Sequence, residues 1–277
     1  MSLNNNLNLR DLKIDFNEKE LDFIKEILNF YDEYLDNSHN SKHILQTINN
    51  VEKFYNQMCE VSDWFKNNTT SKMCKVIMLC HDLGNIEPIF DYISSKFINE
   101  IFKNPDWDKQ KIIRKNHHFT GYKFIYLINN NIDEINNLDL PFNAENLKNL
   151  CSNFNIELIY NAIYHHRASV SNDFELNDLD MFVRSCDGFS SAESVLTRAK
   201  DYAVNNIAIN KNDKNELGKI VRLHMIDKYV GERAYAETLP INFIDNKYKE
   251  ELKKITSILN SYNNDYNLCK YIETLEV

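Results

Sequence analysis

Asn17-Glu18-Lys19-Glu20-Leu21-Asp22-Phe23-Ile24-Lys25-Glu26-Ile27-Leu28-Asn29-Phe30-Tyr31-Asp32-Glu33-Tyr34-Leu35 sets Leu21, Phe23, Ile24, Ile27, Leu28, Tyr31 and Leu35 mostly at three- and four-residue intervals, with charges on the opposite side. That is the period of an amphipathic helix burying one face. Similar stripes run over roughly 41–66, 71–83, 86–103, 110–130, 144–166, 176–200, 214–235 and 245–275, and period-two alternation is nowhere sustained. Breaks fall at Gly84, Pro105, Pro141 and Pro240. Five glycines and four prolines in 277 residues are too few punctuators for an all-β sandwich or barrel. The expectation is an all-α protein: a helical domain over residues 1–200 and a helical C-terminal extension over 201–277, packed on it. The extension is close to charge-neutral, so the first 200 residues carry almost all of the net charge.

Hydrophobic residues make up 43% of the chain and aromatics 12%, a globular composition able to bury a sizeable core. The net charge of −9 argues against a broad basic face for duplex nucleic acid. It leaves a nuclease open, because bound cations add positive charge locally. The six cysteines contain no CxxC pair and read as reduced, buried thiols. MSLNNNLNLRDLK has no apolar signal region, and no run of 18 apolar residues follows. A cytoplasmic protein with no membrane partner is expected.

The histidines carry the chemistry. Seven of eight fall in or beside four clusters: His43 (with His39 one turn before), His81-Asp82, His117-His118 and His165-His166; only His224 lies apart. Asp187 closes the series in Arg184-Ser185-Cys186-Asp187-Gly188. Imidazole and carboxylate drawn from distant helices suit divalent transition metals. His81-Asp82 ends the apolar run Val76-Ile77-Met78-Leu79-Cys80 just before Leu83-Gly84. An aspartate there is expensive to bury unless it meets a cation, and its two oxygens suit it to bridge two ions. Adjacent residues on a helix point about 100° apart, so His165 and His166 both ligate only if they serve different ions or the helix ends there. His118 is a candidate to pass a proton to a leaving group or to support His117. Arg167, Arg114 and Lys115 stand beside these residues as candidate phosphate contacts.

The order H…HD…H…HH…D resembles the HD superfamily of metal-dependent phosphohydrolases over roughly residues 38–200. The matching pieces are His43-Ile44-Leu45-Gln46-Thr47, Leu79-Cys80-His81-Asp82-Leu83-Gly84, His117-x-x-x-Gly121, Ile163-Tyr164-His165-His166 and Val183 through Ala192. The resemblance implies a helical bundle whose site holds two, sometimes three, ions, with the HD aspartate bridging. It implies His43, His81, Asp82, His117, His165, His166 and Asp187 as the metal-binding set, with His117 rather than His118 as ligand. Two divalent ions are expected, with Mn, Fe, Ni, Co and Mg all open. Many members read HDxGK, whereas Asn85 replaces the lysine here. Arg167 through Asn172 replaces the Gly-Tyr-Pro stretch of the cyclic-di-GMP enzymes, so that substrate is not supported. His81 through Phe90 looks like the CRISPR HD nucleases, and Cys186 through Ala192 like ribonuclease Y. The expected activity is hydrolysis of a nucleotide or a short single-stranded nucleic acid, with Asp82, His118 and Arg167 as catalytic residues. The alternatives are a CRISPR-type HD nuclease, a non-catalytic nucleotide-sensing domain, or a di-iron oxygenase built on the same ligands.

Overall fold

The computed structural model describes residues 12, 15–35, 39–136, 138, 140, 142–166, 176–192, 195–205, 213–238 and 246–276. These form helices α1 (Glu18–Tyr34), α2 (Ser41–Val61), α3 (Asp63–Asn68), α4 (Ser71–Cys80), a 3-10 turn at Leu83–Asn85, α5 (Glu87–Lys96), α6 (Lys109–Asn130), α7 (Ile132–Ile135), α8 (Ala144–Cys151), α9 (Ile156–His165), α10 (Asp178–Ala192), α11 (Val195–Asn205), α12 (Lys214–Thr238), α13 (Asn246–Ser261) and α14 (Asp265–Thr274). No strand occurs among the described residues, and the fold class is all-α. Pro141 and Pro240 lie outside the described residues. No described helix is long and apolar enough to cross a membrane. All six cysteines are free thiols, five of them buried.

Helix boundaries follow from side-chain caps. Asn17 and Glu20 form a capping box at the start of α1, with reciprocal contacts of 2.9 and 3.0 Å. Asn40, Asn143, Asn155 and Asn264 accept backbone N–H groups at the starts of α2, α8, α9 and α14. Ser62 splits the stripe expected over 41–66: it ends α2 and its Oγ accepts Phe65 N–H to begin α3. Asn155 divides the stretch expected over 144–166 in the same way.

The chain divides into two compact units, residues 1–186 and 187–277. The division falls inside α10, fourteen residues before the position expected from sequence. In the first unit α4 is the central helix: every residue from Met73 to Cys80 is buried, and α2, α8 and α9 pack against it. A helix apolar on all sides has no solvent face to offer. Even Lys75, at 1% exposure, is drawn in, with its ammonium on Asp15 (2.5 Å) and on Glu52. From α1, the buried Tyr31 donates its hydroxyl to Leu79 O at 2.9 Å, bracing the last turn of α4.

The 3-10 turn after α4 lies flat on α6. A Cβ on Gly84 would stand 1.9 Å from the His117 carbonyl oxygen and 2.5 Å from both Gly121 N and Thr120 Oγ1. Only glycine permits that approach. Thr120 Oγ1 fastens it by donating to Gly84 O at 2.9 Å. Backbone thus meets backbone where Asp82 and His117 must face each other.

In the second unit, α11, α12, α13 and α14 enclose a core that includes Leu196, Ala199, Val221, Met225, Ile255, Leu268 and Ile272. Gly218 plays a similar part there, since a Cβ would lie 1.9 Å from Asp265 O at the start of α14. Arg222 bonds Asp265 Oδ1 beside it.

Candidate metal centre

Three histidines of the first unit are oriented by one device. Nδ1 of His81 lies 2.7 Å from Met78 O, Nδ1 of His117 lies 2.8 Å from Arg114 O, and Nδ1 of His166 lies 2.5 Å from Ile163 O. In each case the partner is the carbonyl three residues earlier. A carbonyl only accepts, so each Nδ1 carries a proton, and it is the neutral form of the ring that presents a bare lone pair on Nε2. Fixing the outer nitrogen on a carbonyl is the usual support for a metal-ligating imidazole.

The Nε2 atoms converge on Asp82. Its Oδ2 stands 3.4 Å from His43 Nε2 and 3.4 Å from His81 Nε2, while Oδ1 stands 3.6 Å from His117 Nε2. His117 Nε2 and His166 Nε2 are 2.9 Å apart. Two lone pairs at that separation repel unless a proton or a cation lies between them. Ligands sharing one ion at bonds of about 2.1 Å stand roughly 3.0 Å apart at right angles and about 3.4 Å apart in a tetrahedron. The observed separations span that range.

Two sets of three emerge, His43–His81–Asp82 and Asp82–His117–His166, each with ligand atoms within 4.8 Å of one another. Asp82 belongs to both. His81, Asp82, His166 and His43 are 0%, 2%, 4% and 5% exposed, so four of the five residues are screened from bulk water. Asp82 Oδ2 accepts no hydrogen bond among the described residues. A buried carboxylate oxygen in that condition costs about 1–3 kcal/mol or more, which a cation would relieve. Burial works to raise the Asp82 carboxyl, but His81, His39, His43 and His117 around it outweigh that and hold it well below the usual carboxylate range. Positive charge at the imidazole positions does this, whether carried by protonated rings or by a cation in their midst. Each of the two groups could therefore hold a metal ion, with Asp82 common to both.

Each helix delivers its residue for a local reason. Asn40 caps α2 and accepts the His43 N–H at 3.4 Å, while Asp32 holds Ser41 through its N–H and Oγ at 2.9 and 2.8 Å. His43 is thereby set in the first turn of α2. His81 closes α4 in helical conformation, and Asp82 follows at φ −100° and ψ 2°, the bridge region where a helix opens. His117 lies one turn before Gly121 on α6, and Gly84 meets the backbone of both, so the same crossing sets the histidine beside Asp82.

The remaining expected residues stand as follows. His165 ends α9 with its Nδ1 3.1 Å from Asp180 Oδ2 and its carbonyl on Arg184 Nε, and it joins neither set. The pair His165-His166 thus divides, with His165 the last residue of α9 and His166 just beyond it. The His118 ring stands beside His117 (5.8 Å between centroids) and Tyr164 (5.4 Å) and is likewise in neither set. Arg167 lies outside the described residues. Asp187, half-buried on α10, is the first residue of the second unit, whereas both sets belong to the first. His224 is in the second unit, its ring 5.4 Å from Tyr202.

Two contacts escaped the sequence reading, in which Asn85 figured only as the replacement of a lysine and Asp180 not at all. Asn85, 6% exposed, donates Nδ2 to Asp82 Oδ1 at 2.8 Å and so fixes one of the two shared oxygens. Its three-residue spacing from Asp82 was the available signal. Asp180, 1% exposed, has no motif around it and is recognised only by its contact with His165. No family model, curated protein or solved structure matches this chain.

Proposed function

We propose that this protein is a metal-dependent phosphohydrolase of the HD type, cleaving a phosphate ester in a nucleotide or a short single-stranded nucleic acid. The observation that carries the reading is the sharing of buried Asp82 between two histidine pairs, with anchored Nδ1 atoms on His81, His117 and His166. Divalent ions held there would supply Lewis acidity toward a phosphoryl oxygen and lower the pKa of water. Asp82 Oδ2 with His43 and His81 would hold one ion, and Asp82 Oδ1 with His117 and His166 the other. Low exposure of the cluster keeps bulk water from competing. His118, next to His117 and less buried than His166, is the candidate to hand a proton to the leaving oxygen. Arg167 remains the candidate phosphate contact from its place in the sequence, as a guanidinium fork suits phosphate oxygens.

The test is a metal-by-substrate screen of the purified chain, with metal content read by mass spectrometry. Two divalent ions per chain and metal-stimulated hydrolysis of a phosphomonoester or phosphodiester are expected. Asp82→Ala should abolish both, while His224→Ala should leave metal content intact. A wild-type chain that takes up no divalent ion at millimolar concentration would refute the proposal. So would equal activity in the two variants.

A further inference from the structure

One face of the first unit carries a row of partly exposed rings that belong to neither of the two candidate ligand sets. On α6, His118, Tyr122 and Tyr126 recur every four residues, and on α9 Tyr160 and Tyr164 do the same. Their rings interleave, tilted or edge to face at 48–75°, with centroid separations of 5.4 Å for His118–Tyr164, 5.5 Å for Tyr164–Tyr122, 5.2 Å for Tyr122–Tyr160 and 5.9 Å for Tyr160–Tyr126. The row starts at the metal cluster, because His118 is 5.8 Å from His117, which is 4.9 Å from His166. None of the four tyrosines is buried, and Tyr126 is 40% exposed.

The buried face of α6 is filled largely by apolar residues, among them Ile113, Phe124, Ile125 and Ile128. A seam of half-exposed tyrosines beside it is a different material. Tyrosine offers a large, flat, rigid contact with only two side-chain torsions to freeze, which is why recognition surfaces use it. The Lys123 ammonium stands 5.5 Å from the Tyr122 ring, nearer to Phe97 at 4.4 Å and paired with Glu100 at 3.4 Å.

We propose that this row is a stacking track for the bases of a single-stranded nucleic acid whose phosphodiester lies at the Asp82 cluster; the proposal rests on the hydrolase reading above. Every nucleotide presents a π face, and base–tyrosine stacking tolerates any sequence. Base stacking is itself an uncharged contribution, so a chain of net charge −9 can use it without the basic groove that single-strand sites commonly add. A sugar chain can also lie on aromatic rings, but it brings no phosphate to a site suited to two cations. Eight helical residues separate His118 from Tyr126, a rise of about 12 Å. That length has room for about three bases at the 3.4 Å rise of a stacked strand.

End-labelled oligothymidylates of one to six nucleotides, bound to the full chain in EDTA and followed by fluorescence anisotropy, test the track. Affinity should climb with length to about four nucleotides and then level off, with a shallow salt slope. Tyr126→Ala and Tyr160→Ala should each weaken hexamer binding by about five- to a hundred-fold, the range that stacking energies imply. Tyr126→Phe, which keeps the π face, should bind within about twofold of wild type. Unchanged thermal midpoints separate this from unfolding. A hexamer held no better than a mononucleotide overturns the track, and so do alanine variants that bind like wild type. Hydrolysis of methyl p-nitrophenyl phosphate by the wild type is read separately. Cleavage without length-dependent binding removes the track and leaves the hydrolase. Tyrosine-dependent binding without metal-stimulated cleavage supports the track and removes the hydrolase.

Discussion

Asp82 divides its oxygens unequally. Oδ2 faces His43 and His81 and accepts no hydrogen bond among the described residues, whereas Oδ1 faces His117 and accepts Asn85 Nδ2. A hydrogen bond to one oxygen orients the carboxylate, and partners of this kind typically carry 10–100-fold in metal affinity. Asn85→Ala should therefore weaken the ion on the His117–His166 side by roughly tenfold or more and leave the other nearly unchanged, as two separable phases in calorimetric titration. A uniform loss at both sites would mean that Asn85 only supports the fold. The Asp82 carboxyl is lowered in the folded chain, so its stabilising effect is complete above the unfolded value of about 3.9 and is lost as pH falls through the lower folded value. After chelation, the stability gap between wild type and Asp82→Asn should hold from pH 7 to about pH 4 and close only below it, as read by urea unfolding. Closure between pH 7 and 5 would contradict the charge environment described here. The sequence disclosed these histidines because doublets and a His-Asp pair stand out in a chain with only eight. It did not disclose that three are anchored through Nδ1, since the anchors are backbone carbonyls and carry no residue signature.

Helices carry the ligands, and their crossings set the distances between them. The decisive crossing is that of the 3-10 turn with α6, where Gly84 leaves no room for a methyl group against His117 O and Gly121 N. Both neighbours are backbone, so relief requires α6 to move, and His117 moves with it. Gly84→Ala should destabilise the chain by about 3 kcal/mol or more, beyond the usual overpacking cost, and should lower metal content in whatever folds. Gly121→Ala is the control: its nearest neighbour is the Ile163 side chain at 3.2 Å, which can shift. A cost near 1 kcal/mol is expected there, and equal costs for the two variants in urea unfolding would defeat the crossing argument. The α1 stripe was legible because it depends on local spacing, whereas the capping box at Asn17 came from the structure. The breaks at Ser62 and Asn155 were not, because apolar stripes continue across them and a single small polar residue ends each helix. Among the described residues five asparagines cap helix N-termini with their side chains.

At the scale of the whole chain, the division at residues 186 and 187 lies within a continuous helix, and no glycine- or proline-rich linker marks it. Composition therefore could not locate it; what defines it is which residues share contacts. The second unit's core comes from separate stretches around residues 195–203, 217–225 and 255–272, which only folding brings together. Charge, by contrast, was fully legible and bears on substrate. Two divalent ions would offset less than half of the net −9, so the loaded protein stays acidic. Duplex binding draws most of its affinity from phosphate neutralisation by lysine and arginine and weakens steeply with salt. Long duplex DNA should therefore bind this protein only weakly at 150 mM salt, while hydrolysis of mononucleotides or single strands proceeds there. Removal of the ions should also be visible globally. A ligand present at 100 times its Kd adds about 2.7 kcal/mol to folding stability, and in a chain of this size each kcal/mol moves the midpoint by roughly 2 °C. EDTA should thus lower the thermal midpoint by about 5 °C or more, with excess divalent metal restoring it. An identical midpoint with and without metal would show that the cluster takes up no ion. Tight cutting of duplex DNA at that salt would instead place the acidic charge away from the substrate face and favour a duplex-directed nuclease.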